Sequence, residues 1–476
     1  MSIAASKDEL VAIVGGQVAR KQNDQSGSDK ITFSGVEFDS RNIRGGELFV
    51  ALKGEKTHGH QFLSQVLLNG ASLVLVEDPK FLSELPDPAR VVFVPDTLKA
   101  FSLLAAFWRK KIGLPTLAIT GSVGKTTTKE LAASILMQTG IGNYSKKSFN
   151  NHTGVPYTIL QTAPHHGWLV LEMGMNHAGE IRQLSEIARP DVAMITKIAP
   201  AHIEHFAGIE GIVDAKCEVL SGLVPGGTVV LNGDDQLLRE GITRNDPSRR
   251  HPQTFFGTAA DSTVRIVSVV SKGLGGLEIK LRLPDGEIST VVGILGSHNV
   301  TNIAAAVAGV RTLVPTISLK VIEEGLRSFR APLMRLNLKR LTNGRTLVDD
   351  SYNANPTSMA GILSVAKDLG SGGEKIGLVL GDMLELGERS EEFHRELGRA
   401  VGALKPTFLI TVGDRARWIE EEAKALGVRS THAENPEVAA HLVAKCDFQI
   451  VIVKGSRGVN LDRTAEILFE RCGERP

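Results

Sequence analysis

Residues 118–130 read Ala-Ile-Thr-Gly-Ser-Val-Gly-Lys-Thr-Thr-Thr-Lys-Glu, and this stretch decides the class of fold. An apolar strand from Pro115 to Ile119 enters a turn with Gly121 and Gly124, and an amphipathic helix follows with Leu131, Ile135 and Leu136 on one face. Glycines let backbone N–H groups approach phosphate oxygens, and a helix N-terminus adds positive potential. Gly121, Ser122, Val123, Gly124, Lys125, Thr126 and Thr127 are therefore the candidate phosphate-binding residues. Lys125 can reach the outer phosphates, and the Thr126 hydroxyl can ligate Mg²⁺. Two residues separate the glycines, where the usual pattern has four. The competing reading, a glycine turn before a chance Gly-Lys-Thr, fits the strand–loop–helix context poorly.

Around this loop the chain divides into three regions of an α/β protein. Residues 1 to about 111 alternate short apolar runs (48–52, 72–76 and 91–94) with helix-like stretches, the pattern of a small α/β domain. A helix from about Thr97 to Lys111 leads to Gly113-Leu114-Pro115, a linker. The second region, about 112–329, alternates strand-like runs at 168–172 and 192–196 with helical patterns at 178–188 and 212–223, the rhythm of a parallel sheet. Between about 253 and 295 closely spaced strands with Gly-rich turns suggest a small antiparallel appendage, and an Ala-rich helix spans Ser297 to Val310. The third region, 330–476, repeats strands at 346–349, 375–380, 407–412 and 449–453 between helices. A Rossmann-like domain is the simplest assignment, without a Gly-x-Gly-x-x-Gly fingerprint after any strand.

With 476 residues, 42% apolar and 22% charged, the chain reads as a soluble multidomain protein. A net charge of +1 gives no argument for nucleic-acid or membrane-surface binding. Three dispersed cysteines fit a reducing cytoplasm. Neither a signal peptide nor a membrane-spanning run is read, and a monomer is expected.

Two further residues, Glu172 and His202, leave the same sheet edge as the phosphate loop, and Lys216 is a third candidate. Glu172 ends the apolar run Leu169-Val170-Leu171, at the strand end where α/β sheets bind ligands, and can complete the coordination of an ion at Thr126. An ordinary strand-end acid is the alternative. His202 follows the next strand, although a lone histidine is more often structural. Lys216 sits in a mainly apolar helix. Near a metal its ammonium would be repelled or lose its proton, and reaction with CO₂ would make it an anionic carbamate. Taken alone, an exposed helical lysine is the default.

Thr-Gly-Ser-Val-Gly-Lys-Thr-Thr (120–127), Leu-Glu-Met-Gly (171–174), Ala-His-Ile-Glu (201–204), Ala-Lys-Cys-Glu (215–218) and Gly-Ser-His-Asn-Val-Thr-Asn (296–302) occur in the order seen in Mur ligases. The resemblance covers essentially the whole chain. It implies a cytoplasmic ATP-dependent enzyme that forms amide bonds in peptidoglycan synthesis. Asn299 and Asn302 would contact adenine, Arg335 the phosphates and Asp350 the ribose. Lys125, Glu172, His202 and Lys216 would be the catalytic set, with Thr126, Glu172, His202 and carbamylated Lys216 around two Mg²⁺ ions. Asp39-Ser40-Arg41 and Lys53-Gly54 resemble the UDP-binding segment, while Asn150-Asn151-His152-Thr153-Gly154 faces the sugar-peptide, so Ser40, Arg41, Lys53, Asn151 and Thr153 are the UDP-substrate candidates.

Three third-region stretches, 349–356, 380–387 and 453–458, resemble the branch of the family that joins D-alanyl-D-alanine to UDP-N-acetylmuramoyl-tripeptide. Lys454 and Arg457 are the cationic candidates for the dipeptide carboxylate. The ligase adding the preceding amino acid, folylpolyglutamate synthase and a catalytically inactive ATP-binding relative are the alternatives. His58, His152 and Lys197 depart from the family pattern at substrate-facing segments.

Overall fold

A computed structural model describes residues 3–18, 31–54, 57–80, 87–200, 204, 206, 208–246, 248 and 250–473. Its centre is a nine-stranded sheet whose spatial order is 286–292, 277–283, 264–271, 253–257, 228–232, 192–195, 116–120, 169–172 and 143–144. Strand Thr116–Thr120 pairs in parallel with Leu169–Glu172 on one side and Val192–Ile195 on the other. The loop after it therefore emerges between two neighbouring strand ends.

Alternation along these strands divides the core in two. Ala118, Leu169, Leu171, Ala193, Ile195, Val229 and Leu231 face one cluster, while Leu117, Ile119, Val170, Val192, Met194 and Val230 face the other. Burial on both faces explains why the strands are continuous apolar runs rather than alternating ones. The first cluster continues into the N-terminal region through Leu104, Ala105 and Trp108 of helix Thr97–Ile112. The indole Nε1 of Trp108 donates to the Thr162 carbonyl at 2.8 Å, and Arg109 Nε donates to that of Ala188 at 2.7 Å. Gly113 in the left-handed conformation ends this helix, and the segment that the sequence suggests as a linker is closely tied to the central sheet.

The strands at 253–257 and 264–271 correct the expected appendage. Strand 253–257 is parallel to 228–232, strand 264–271 continues in parallel, and only 264–292 forms an antiparallel meander. The meander extends the central sheet rather than hanging from it. The helix expected over 212–223 is Ile209–Cys217, followed by a 3₁₀ turn at Glu218–Gly222. Glu218 there turns its carboxylate onto the N–H groups of Gly179 and Arg182, at 2.7 and 3.2 Å, and caps helix Glu180–Ala188.

The N-terminal region has a sheet in the order 17–18, 91–93, 73–76, 48–50, 36–37, parallel apart from its first pair. A two-stranded sheet of 4–6 and 32–34 lies beside it in sequence. The C-terminal sheet runs 337–340, 346–349, 450–454, 376–381, 408–412, 430–433, parallel apart from its first pair. No helix among the described residues is long and apolar enough to cross a membrane.

Behind the phosphate loop, helix Lys125–Leu136 packs against helix Leu319–Ser328 almost backbone to backbone. A Cβ on Gly325 would lie 2.4 Å from Ile135 Cα and 3.0 Å from Ser134 O. Ser134 Oγ donates to the Gly325 carbonyl at 2.7 Å, which fixes the approach. Gly325→Ala is expected to destabilise the protein by about 1–3 kcal/mol through overpacking. Chemical denaturation monitored by circular dichroism checks this, and an unchanged midpoint would show that the helices can separate freely.

Candidate active site

The loop Gly121–Gly124 is built by close approach. Gly121 has φ 141° and Gly124 has φ 88°, both in the region that favours glycine. A Cβ on Gly121 would lie 2.1 Å from Thr196 Oγ1, and one on Gly124 would lie 2.2 Å from Asn302 Oδ1. Ser122 N donates to the Lys197 carbonyl at 2.7 Å, and Thr196 Oγ1 donates to the Val123 carbonyl at 2.6 Å. The neighbouring strand end thus shapes the loop, and Lys197 contributes through its backbone.

At the first turn of the helix, Thr126 Oγ1 donates to Glu172 Oε1 at 3.1 Å. Asn150 Nδ2 donates to the same oxygen at 2.9 Å. Glu172 Oε2 is buried without a hydrogen-bond donor, and Lys129 Nζ is 3.8 Å away. A buried carboxylate oxygen with spare lone pairs, beside a threonine hydroxyl, is a donor set that fits a hard cation. Among the described residues no three His, Cys, Asp or Glu side chains cluster as a metal cage. Mg²⁺ commonly binds to one or two protein oxygens together with phosphates and water, so two donors suffice.

Lys125 Nζ folds back onto the carbonyls of Gly121 and Ser122 at 2.8 and 3.3 Å. Burial lowers its pKa, the Glu172 carboxylate opposes this, and the Arg335 guanidinium adds to it. Arg335 reaches over from the C-terminal region: its Nη2 donates to Thr126 Oγ1 at 3.4 Å, and its guanidinium lies 4.2 Å from the centre of the Tyr352 ring. Its Nε is buried without an acceptor, which leaves one donor for an anion.

A cavity of about 810 Å³ spans the loop and the C-terminal region, within the size range of ligand sites. Ser122 to Thr127, Glu172, Asn299, Asn302, Arg335 and Asp350 all line it. On its far wall, Asn302 Nδ2 donates to Asn299 Oδ1 at 2.7 Å. Asp350 accepts Leu336 N at 3.1 Å and pairs with Lys454 Nζ at 2.6 Å.

Lys454 and Arg457, the two candidates for the dipeptide carboxylate, line two separate cavities. Lys454 is buried against Asp350 and the Asn353 carbonyl, on the large cavity. Arg457 is half exposed, pairs with Asp462 at 2.6 Å, and lines a smaller cavity of about 110 Å³. That cavity gathers 353–355, 384–386 and 456–458, drawn from the three C-terminal stretches singled out in the sequence.

Lys216 is 2% exposed, which rules out the default reading of an exposed helical lysine. Burial pushes its pKa well below the ordinary lysine range, and the Lys125 charge adds to that; Glu180 and Glu218 oppose it. It does not line the large cavity. His202 lies outside the described residues. Of the UDP-substrate candidates, Ser40 is buried, and Arg41 is exposed and paired with Asp39 at 2.6 Å. Lys53 bridges to His58 through the backbone. Asn151 Oδ1 accepts the N–H groups of Thr153 and Gly154 at 3.2 and 2.9 Å, at the start of helix Gly154–Leu160.

The sequence matches the Mur ligase family catalytic domain over residues 32–109, the Mur ligase middle domain over 119–310, and the Mur ligase glutamate ligase domain over 334–457. It is 34% identical to the UDP-N-acetylmuramoyl-tripeptide–D-alanyl-D-alanine ligase of Escherichia coli, across 98% of this chain and 99% of that protein. The chain belongs to the Mur ligase family. Among solved structures it is similar to MurF from Acinetobacter baumannii, with a TM-score of 0.85 and 30% identity across 98% of this chain and 99% of the other. The MurF ligase of Thermotoga maritima, solved in complex with ADP, gives a TM-score of 0.76 and 27% identity across 92% and 98%.

Lys129 belongs to this Mur ligase site but not to the expected residues. It is fully buried, donates to the Ser145 and Lys147 carbonyls at 2.6 and 2.8 Å, and pairs with Glu130 at 2.9 Å. Its signal in the sequence was a second lysine one helical turn after Lys125, on the face that packs against the sheet. Lys129→Met leaves Glu172 buried without its cation and two carbonyls without their donor. A loss of about 3–5 kcal/mol is expected from breaking such a buried pair. Urea denaturation checks this, and a loss below about 1 kcal/mol, the range of exposed pairs, would show that the charge is not needed there.

Proposed function

We propose that the chain is an ATP-dependent ligase that joins D-alanyl-D-alanine to UDP-N-acetylmuramoyl-tripeptide and so makes the pentapeptide precursor of peptidoglycan. The observation that carries this reading is the convergence of Lys125, Thr126, Glu172, Arg335 and Asp350 on one cavity, with the three C-terminal stretches closing a second one beside it. Asn353 and Asn355 line both cavities, so an acyl group formed in the first is adjacent to an amine held in the second.

A free carboxylate is a poor electrophile. Transfer of the γ-phosphoryl group of ATP to the tripeptide carboxylate forms a C–O–P linkage and releases ADP. The amine nitrogen then attacks the carbonyl carbon, phosphate leaves with the C–O electron pair, and the nitrogen loses a proton. Lys125 and Arg335 place two cations where charge spreads over the transferred group. Thr126 and Glu172 would hold a Mg²⁺ ion, which when bound neutralises phosphate charge. Asn299 and Asn302 offer amide groups to adenine, and Asp350, oriented by Lys454, accepts from the ribose. Closing the site excludes water from the acyl phosphate.

ATP turnover is expected to require both UDP-N-acetylmuramoyl-tripeptide and D-alanyl-D-alanine, and Lys125→Ala is expected to lower it by about a hundredfold or more. Phosphate release is the measurement. Faster turnover with diaminopimelate or lysine on the shorter precursor would make this the preceding ligase, and a near-normal Lys125→Ala would remove the loop from the reaction.

Carbamylation of Lys216 belongs to the same reading. A carbamate formed on the buried Nζ by addition of CO₂ and loss of a proton would be an anionic oxygen ligand, and with His202 it would hold a second Mg²⁺. Density at the tip of Lys216 in crystals grown with bicarbonate, Mg²⁺ and a nucleotide is the expected result. A bare ammonium there would sink the idea, as would full activity of Lys216→Ala.

A further inference from the structure

The small cavity has a strained rim. Glu385 has φ 61°, a left-handed conformation that non-glycine residues seldom adopt, and Gly387 has φ 55°. Strain of this kind persists only where the surroundings over-determine the backbone. Two successive N–H groups just before Glu385 are held by buried side chains. Met383 N donates to His394 Nε2 at 2.9 Å, and Leu384 N donates to Ser456 Oγ at 3.0 Å. Both anchors are inaccessible, with His394 at 0% and Ser456 at 3% exposure.

The hydrogen bonds settle the state of His394. The Ser390 carbonyl, 2.6 Å from Nδ1, can only accept, so Nδ1 carries the proton. Nε2 accepts from Met383 and must be unprotonated. Burial lowers the imidazole pKa and Arg415 adds to this, while the Ser390 carbonyl and Asp382 oppose it. The Trp418 ring packs edge-on against the imidazole, with centroids 5.9 Å apart.

Ser456 ties the rim to the other two stretches. Its hydroxyl donates to the Ala354 carbonyl at 3.3 Å, and its N–H donates to the Asp382 carbonyl at 3.0 Å. Glu385 and Arg457 both line the cavity so framed, Arg457 with its guanidinium paired to Asp462 at 2.6 Å. A lining with residues of both charge signs suits a zwitterion, which a free amino acid or dipeptide is.

We propose that His394 and Ser456 are positioning residues for the amine substrate, holding the Met383–Leu386 rim in the strained shape that fits a small zwitterion. The proposal rests on the ligase reading above, in which D-alanyl-D-alanine is that zwitterion. His394 does not line the small cavity, whereas Ser456 does, with its hydroxyl held between Leu384 N and the Ala354 carbonyl. Their effect passes through the backbone they pin, so it falls on amine binding and spares the nucleotide.

The test is steady-state kinetics of His394→Phe, His394→Gln and Ser456→Ala with each substrate varied. His394→Phe keeps a ring against Trp418 but leaves the Met383 N–H buried without an acceptor, whereas glutamine can return one. His394→Phe and Ser456→Ala are each expected to raise KM for D-alanyl-D-alanine about tenfold, and glutamine to recover most of the loss at position 394. KM for ATP should stay within about twofold, a difference below half a kcal/mol. Equal changes in all three KM values would mean a merely structural role and overturn the proposal, as would an unchanged KM for the amine. Should His394→Phe fail to fold, Ser456→Ala and nitrogen NMR of histidine-labelled wild-type protein decide. The expected spectrum at pH 7 shows His394 protonated at Nδ1 and not exchanging with solvent, and an Nε2-protonated or charged His394 overturns the proposal. Wild-type protein unable to use D-alanyl-D-alanine would overturn the parent reading, and this one with it.

Discussion

Everything at the phosphate loop depends on one buried carboxylate. Glu172 is 1% exposed, and four side chains from different parts of the chain meet it or its donors. Thr126 comes from the loop helix, Asn150 from the substrate-facing segment, Lys129 from the next helical turn, and Arg335 reaches Thr126 from the C-terminal region. A carboxylate without partners is costly to bury in such a place. Lys129 and the two hydrogen bonds make its burial tolerable, while one oxygen stays without a donor. The site is therefore organised around a carboxylate only partly compensated by protein, a donor set that fits a cation.

The glycines make that arrangement possible by removing side chains where strands converge. Thr116–Thr120 sits between two parallel strands, so the loop after it has Thr196 on one side and Asn302 on the other. With no Cβ at Gly121 or Gly124, the chain turns within two intervening residues. The same economy appears at Gly325 behind the loop helix, where two helices touch through their backbones. The glycine loop, the Glu172 carboxylate and the Asn299–Asn302 pair are thus held by packing that begins in the sheet and ends in the cavity wall.

Much of this was legible in the sequence, for physical reasons. The doubly buried strands leave apolar runs, and the phosphate loop has a composition that few other structures need. Strand Thr228–Asn232 is equally apolar, but it lies between turn signals and does not stand out. Strand Ser430–Ala433 closes the C-terminal sheet with a polar Ser-Thr-His-Ala, which an edge tolerates and periodicity cannot detect. The family resemblance brought Arg335 and Asp350 into view, since nothing in their local sequence places them opposite the loop. Lys454 and Arg457, with two residues between them, could not be separated by sequence, yet one pairs inward with Asp350 and the other pairs with Asp462. Lys129 and His394 were missed because their meaning lies in partners 16 and 11 residues away.

The two cavities share a logic in which buried polar side chains hold backbone rather than ligand. Lys129 holds the carbonyls of 145 and 147, with Lys147 itself left-handed at φ 52°, just before the segment whose Asn150 reaches Glu172. His394 and Ser456 hold the N–H groups of 383 and 384 before left-handed Glu385. In both places a donor or acceptor that would be costly to leave unpaired is matched by a single buried partner, so the loop has one low-energy shape. Loops built this way keep their geometry while the substrates that pass between them change from carboxylate to acyl phosphate to amide. The chemistry needs that constancy, because the amine must meet the acyl group before water does.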